Sequence, residues 1–160
     1  MSGLAGSGIA VDVPAGWDGR IYTRSPEPSG LRPASAMAAQ QETTGAVLHV
    51  ASFPLPPDTG DYGGGAVELM TSTDLLIVLF EHGAQSANTP LFAATSIPRL
   101  VATDVSTMQL QRLLEGQGGV QRFFTIAGRA FCLYVVFGSY ARCVRTVPVV
   151  NSILDTITIS

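Results

Sequence analysis

Arg122-Phe123-Phe124-Thr125-Ile126-Ala127-Gly128-Arg129-Ala130-Phe131-Cys132-Leu133-Tyr134-Val135-Val136-Phe137 is the stretch whose reading decides the fold. Two runs rich in aromatic and β-branched residues flank Ala127-Gly128-Arg129, and Gly128 can take the positive φ that a tight hairpin turn demands. Along the second run Phe131, Leu133, Val135 and Phe137 alternate with Ala130, Cys132, Tyr134 and Val136, and both sets are apolar. A sheet with one wet face does not accommodate that pattern, so layers of chain must cover both faces of this strand.

Working outward, Leu75-Leu76-Ile77-Val78-Leu79-Phe80 repeats the two-sided pattern and reads as a central strand. Ala46 to Phe53 reads as a further strand, stopped by Pro54-Leu55-Pro56-Pro57. Near the start, Gly8-Ile9-Ala10-Val11-Asp12-Val13 alternates with period two, Pro14-Ala15-Gly16-Trp17 turns the chain, and Arg20 to Arg24 forms a short strand. Trp17 is placed to plug one end of the core. Ala66 to Met70 predicts a short helix. Ser106-Thr107-Met108-Gln109 predicts a capping box, with Val105 and Leu110 spaced as a hydrophobic staple and Gly116 ending a helix of about ten residues. Leu110, Leu113 and Leu114 of that helix would face the core. At the far end Thr146 is positioned to cap a helix carrying Val147, Val150 and Leu154, running to Asp155, before Ile157 and Ile159 alternate as a terminal strand. The stretch 25–45, rich in Pro, Ser, Ala and Gln, reads as a loop or mobile excursion within one domain spanning 1–160. The expected class is α+β: a central twisted antiparallel sheet with helices packed on both faces.

Composition narrows the function classes. The chain is 46% hydrophobic and 13% charged, which leaves Ser, Thr, Gln, Gly and Pro to cover the surface. All nine basic residues are arginine, the mark of a GC-rich bacterial genome, and the net charge is −3 with no cluster of arginines among aromatics. That is not the footprint of a nucleic-acid binder. The opening Met1-Ser2-Gly3-Leu4-Ala5-Gly6 lacks a basic or long apolar leader, and Leu75 to Phe80 is too short to span a bilayer, so a cytoplasmic location is expected. Two cysteines are too few for a disulfide framework or a zinc site.

Candidate sites were weighed against ordinary structural roles. His49 and His82 are the only histidines, both read as strand-end or surface residues, and Glu81 and His82 point to opposite faces. Asp58 and Asp61 lack the spacing of a calcium loop, and Gly63-Gly64-Gly65 lacks the Gly-Lys-Ser/Thr ending of a P-loop. Cys132 reads as a buried hydrophobe, while Cys143, near Arg142 and Arg145, is the more reactive thiol. Ser139 lacks a nucleophile elbow. No catalytic residue, no cofactor and no metal is expected. Tyr62, Glu81, His82 and Cys143 are the candidates for ligand or partner contact.

The opening Ile9-Ala10-Val11-Asp12-Val13-Pro14-Ala15-Gly16-Trp17 resembles the strand-Pro-x-Gly-Trp start of PsbP-like proteins, and the closing helix with its final strand is similar to theirs. The resemblance implies an α/β/α sandwich around an antiparallel sheet. It also implies a binding role, since the group includes extrinsic photosystem subunits, a small-GTPase-binding import factor, actinobacterial lipoproteins and effector-loading chaperones, and most members are not enzymes. The leading expectation is a non-catalytic protein-interaction, scaffolding or chaperone-like domain with a protein partner, a homodimer among the options. The alternatives are a small enzyme or ligand binder with a loop-built site near Glu81, His82 and Cys143, and a structural subunit of a larger assembly.

Overall fold

The computed structural model describes residues 2–24 and 45–160, so residues 25–44 of the expected excursion lie outside the described part. Strands β3 (Asp18–Thr23), β4 (Ala46–Ala51), β5 (Leu75–Glu81), β6 (Gly118–Ile126) and β7 (Arg129–Phe137) form an antiparallel sheet in the order β3-β4-β5-β7-β6. A second antiparallel sheet holds β1 (Ser2–Gly6), β2 (Ile9–Val13) and β8 (Thr158–Ile159) in the order β1-β2-β8. With α1 (Cys143–Leu154), the one α-helix among the described residues, the protein is of mixed α+β class.

The β6–β7 hairpin closes on the pair Ile126↔Arg129, with Ala127 at φ 54° and Gly128 at φ 73°. Two consecutive positive φ values make the two-residue turn whose twist matches that of the strands it joins. Arg129 therefore opens β7 and is not a turn residue. The same turn geometry, Ser7 at 53° and Gly8 at 76°, joins β1 to β2. Ser-Gly-Leu-Ala-Gly has little strand propensity of its own, so β1 exists through its pairing with β2.

Register aligns the two faces of the large sheet. The pairs Ile77↔Val135 and Leu79↔Leu133 lie on one face, and Leu76↔Val136, Val78↔Tyr134 and Phe80↔Cys132 on the other. The first face is covered by the small sheet through Ile9, Val11 and Val13, and by α1 through Val147, Val150, Ile153 and Leu154, with Trp17 packed at its margin. The second face is covered by connections: Phe53, Leu55, Ala66 and Val67 are buried against it, and Leu110 and Leu114 pack on it in part. Both strands expected to be covered on both faces are so covered.

Three local expectations are corrected. The helix after Ser106 is a single 3₁₀ turn, Thr107–Gln109, although the Ser106 hydroxyl does accept the Met108 N–H at 3.0 Å. The Gln109 side chain, instead of closing the box, accepts the β6 backbone N–H of Gln121 at 2.9 Å and Arg122 at 3.2 Å, and donates to the Asp104 carbonyl at 3.0 Å. Val105 belongs to the first core and Leu110 to the second, so the chain crosses the β6 edge between them and no staple forms. Leu113 is exposed, not core. The short helix expected over 66–70 is also a 3₁₀ turn, Val67–Leu69. Finally, α1 begins at Cys143, and Thr146 sits inside it with its hydroxyl donating back to the Arg142 carbonyl at 3.3 Å. Pro148 removes one helical hydrogen bond, a cost offset by burial of the face carrying Val147, Val150, Ile153 and Leu154.

The exposed edge of β6 is satisfied by a strap of irregular chain. Gly119 exchanges two 2.9 Å hydrogen bonds with Ser106, Thr125 N–H donates to the Ala94 carbonyl at 2.8 Å, and the Thr125 hydroxyl donates to the Phe92 carbonyl at 2.7 Å. Such cover removes the open ladder that another strand would otherwise extend.

Candidate functional site

Two of the four nominated side chains, Tyr62 and His82, gather around Phe80, while Glu81 turns to the other face of β5 and Cys143 lies apart. Tyr62 stacks on Phe80 with ring centroids 4.7 Å apart, and His82 meets Phe80 edge-on at 5.0 Å and Phe92 at 5.2 Å. The Arg24 guanidinium lies 4.0 Å over the Phe80 ring, a cation–π contact, and donates to the Glu81 carbonyl. Cys143 begins α1 in the first core, on the far side of the sheet from Tyr62, with its sulfur 3.9 Å from the Ala102 carbonyl. No single site can use all four.

Glu81 is engaged in structure. Its carboxylate accepts two hydrogen bonds from Arg129, Nε at 2.8 Å and Nη2 at 2.9 Å, and a third from the Ala46 N–H at 3.0 Å. Burial alone would raise its pKa, but these donors and the charges of Arg129 and Arg24 outweigh it and hold the carboxyl below the ordinary value. Arg129 spends its remaining donors on the Ser160 carbonyl at 3.0 Å and the Ser7 carbonyl at 2.9 Å. One guanidinium thus ties the β5 end, the β6–β7 turn, the β1–β2 turn and the last residue together.

His49, expected near the surface, is fully buried in the middle of β4. Its Nε2 donates to the Asp61 carbonyl at 2.9 Å, which fixes the Nε2–H tautomer and leaves Nδ1 without a partner among the described residues. Burial holds its pKa below the ordinary histidine value, so the ring is neutral. Asp61 also accepts the Tyr22 hydroxyl at 2.5 Å, and burial with that bond raises the phenol pKa. Asp61 is therefore a clip between its loop and strands β3 and β4. Its distant partners carry no local motif, which is why the pattern was not readable.

The other candidates are equally engaged. Cys132, between Tyr62 and Gln121, has its thiol pushed up to about 11 by burial despite hydrogen bonds from both, so it is protonated at neutral pH. In the glycine loop Gly63 N–H bonds the Gly60 carbonyl at 2.8 Å, and Gly65 N–H bonds the Glu68 carboxylate at 2.8 Å. Those amides turn onto the chain itself and form no anion cradle. Among the described residues, no three of His, Cys, Asp or Glu cluster to hold a metal.

What the surface does present is apolar. Met108 is 87% exposed, Leu113 72% and Val144 70%, and Leu69, Val101 and Tyr140 are also well exposed. These six sit on adjoining segments. Glu68 and Arg112 join the Leu69 and Leu113 segments through a 2.6 Å ion pair, Tyr140 N–H bonds the Gly116 carbonyl at 2.7 Å, and Cys143 touches Ala102 beside Val101. Matched against protein-family models, curated proteins and solved structures, the chain finds no counterpart in any of the three.

Proposed function

We propose that the chain is a non-catalytic protein-interaction domain, of scaffolding or chaperone-like type, that docks a protein partner through the margin carrying Leu69, Val101, Met108, Leu113, Tyr140 and Val144. The observation that supports this reading is that six of the eight large apolar side chains exposed among the described residues, Leu91 and Val149 being the others, lie on segments joined by the Glu68–Arg112, Tyr140–Gly116, Cys143–Ala102 and Ser106–Gly119 contacts. Scattered apolar residues are normal on a surface, whereas neighbouring ones favour association. A chain with 13% charged residues also gives up little ionic solvation when such a margin is covered.

The PsbP-like resemblance belongs to the same proposal. It is supported by the pairing of the two chain ends that carry it, Ile9↔Ile159 and Ala10↔Thr158, and by an antiparallel sheet covered on both faces. On that reading the fold is a sheet sandwich of the PsbP-like group whose second face, among the described residues, carries connections and 3₁₀ turns where the group's outline would place an α-helical layer.

The test compares wild type with the double variant Met108→Glu/Leu113→Glu by sedimentation velocity and by crosslinked pull-down from the native host. Both side chains are outside the cores, so the variant should keep the wild-type urea midpoint. The proposal expects wild type to self-associate or to retain a defined protein that the variant loses. If both sediment as the same monomer and recover the same set of proteins, the proposal fails.

A further inference from the structure

Among the described residues the two sheets present four strand edges, and three of them are guarded. The β6 edge is covered by the strap, and β8 is two residues long. β3 carries Asp18 and Arg20, and the Asp18 carboxylate accepts the Gly19 N–H at 2.9 Å. The fourth edge is β1, Ser2-Gly3-Leu4-Ala5-Gly6, which has no charge and no proline and pairs with β2 residue by residue without a bulge. Its one strand neighbour is β2. An edge with none of the usual guards is a template for another strand.

The hydrogen bonds of the small sheet fix which groups of β1 are open. On the far side of β2 the Gly8 carbonyl accepts the Ser160 N–H at 2.8 Å, and the Asp12 N–H donates to the Thr156 hydroxyl oxygen at 3.1 Å. Gly8, Ala10 and Asp12 therefore turn their backbone groups toward the β8 side, and Ile9, Val11 and Val13 turn theirs toward β1, where they meet Gly6, Leu4 and Ser2. Gly3 and Ala5, both exposed, are left with N–H and C=O directed away from the sheet. Between them Leu4 packs on the first core and stays half-buried.

We propose that β1 pairs antiparallel with the β1 of a second copy of this chain, on a two-fold axis through Leu4, so that the two three-stranded sheets become one continuous sheet. The edge is self-complementary in that register. Gly3 of each copy faces Ala5 of the other, and every outward N–H meets an outward carbonyl. Leu4 meets its own counterpart in the close, non-hydrogen-bonded pair, where each side chain covers the other. An unrelated strand could satisfy the same backbone groups, but symmetry alone sets a leucine opposite Leu4. No like charges are opposed, since Asp12, the one charged residue of the small sheet, lies a strand further in. Its two copies stand about 14 Å apart across three strand spacings, beyond the Debye length of about 8 Å. Two five-residue strands make a contact smaller than a standard interface, so the dimer is weak, with a dissociation constant of about 0.1 mM. The inference does not rest on the docking margin, which lies on other segments.

The experiment combines sedimentation equilibrium with NMR on the full chain. Between about 50 µM and about 1 mM the average mass should climb toward that of a dimer, and exchange of the Gly3 and Ala5 amides should slow about threefold as the monomer fraction falls. In a sample mixing isotope-labelled and unlabelled chain, an NOE should join the Leu4 Hα protons of the two copies. Ala5→Pro removes an outward N–H and no bond to β2, so it should leave a monomer at the higher concentration with an unchanged urea midpoint. Met108→Glu/Leu113→Glu should keep the dimer. If Ala5→Pro does not fold, the wild-type NOE and amide exchange decide. The inference is overturned by a wild type that stays monomeric, whether β1 is left open or taken by another protein's strand, and by a dimer that lacks the Leu4 NOE or survives Ala5→Pro. A dimer lost in Met108→Glu/Leu113→Glu would place self-association on the docking margin and overturn it as well.

Discussion

Replacing Arg129 with methionine should destabilise the protein by about 2–3 kcal/mol. Removing one partner of a fully buried ion pair costs about 3–5 kcal/mol, because the other charge is left uncompensated. Here the Arg129 and Glu81 side chains keep 20% and 17% of their exposure, so water recovers part of that loss. The variant also removes the donors to the Ser7 and Ser160 carbonyls, which are exposed and add little. With a urea m-value of about 2 kcal/mol/M, the midpoint should fall by about 1–1.5 M. The double variant Glu81→Leu/Arg129→Met removes the stranded carboxylate as well, and should recover much of the loss. Hydrogen exchange should show faster opening of the Ser160 N–H to Gly8 carbonyl bond in the single variant. The acid limb supplies a further check. Glu81 has a folded pKa below its unfolded value, so its contribution is present above about pH 4.5 and is lost as pH falls through the folded value. That loss should shrink in Arg129→Met. A single-variant cost under about 0.5 kcal/mol, or a double-variant cost equal to the sum of the two singles, would refute the account of Glu81 and Arg129 as a coupled buried pair.

Two further outcomes are expected. His49 has a folded pKa depressed by burial, so stability should decline as pH falls below about 6.5 toward the folded value, by about 1.4 kcal/mol per pH unit; urea midpoints across that range should be flatter in His49→Gln. Ala127 holds φ 54° in the hairpin turn, a conformation that asparagine tolerates better; Ala127→Asn should therefore stabilise the protein by about 1 kcal/mol in thermal unfolding, and an unchanged or lower Tm would contradict the turn assignment.

Where the expectations failed, a distant partner had claimed the residue. Ser106 did cap a turn, yet Gln109 was drawn to the unpaired N–H groups of β6, and a helix through Leu110 would have stripped that edge of its cover. Thr146 carries the composition of a cap, but burial of Cys143 in the first core starts α1 four residues earlier than that cap would. Of the nominated residues, Tyr62 and His82 share Phe80, while Cys143 was separated from them by the whole thickness of the sheet.

Strand identity and the two-sided burial of β5 and β7 were determined by the sequence itself, because alternation along an extended chain assigns each side chain to a face without reference to any other segment. The tertiary structure alone decided which segments cover those faces, why β1 is a strand, and where polar atoms are left unpaired. Those outcomes depend on pairings such as Gly6↔Ile9 and Ser106↔Gly119, whose stability exists only once both partners are in place.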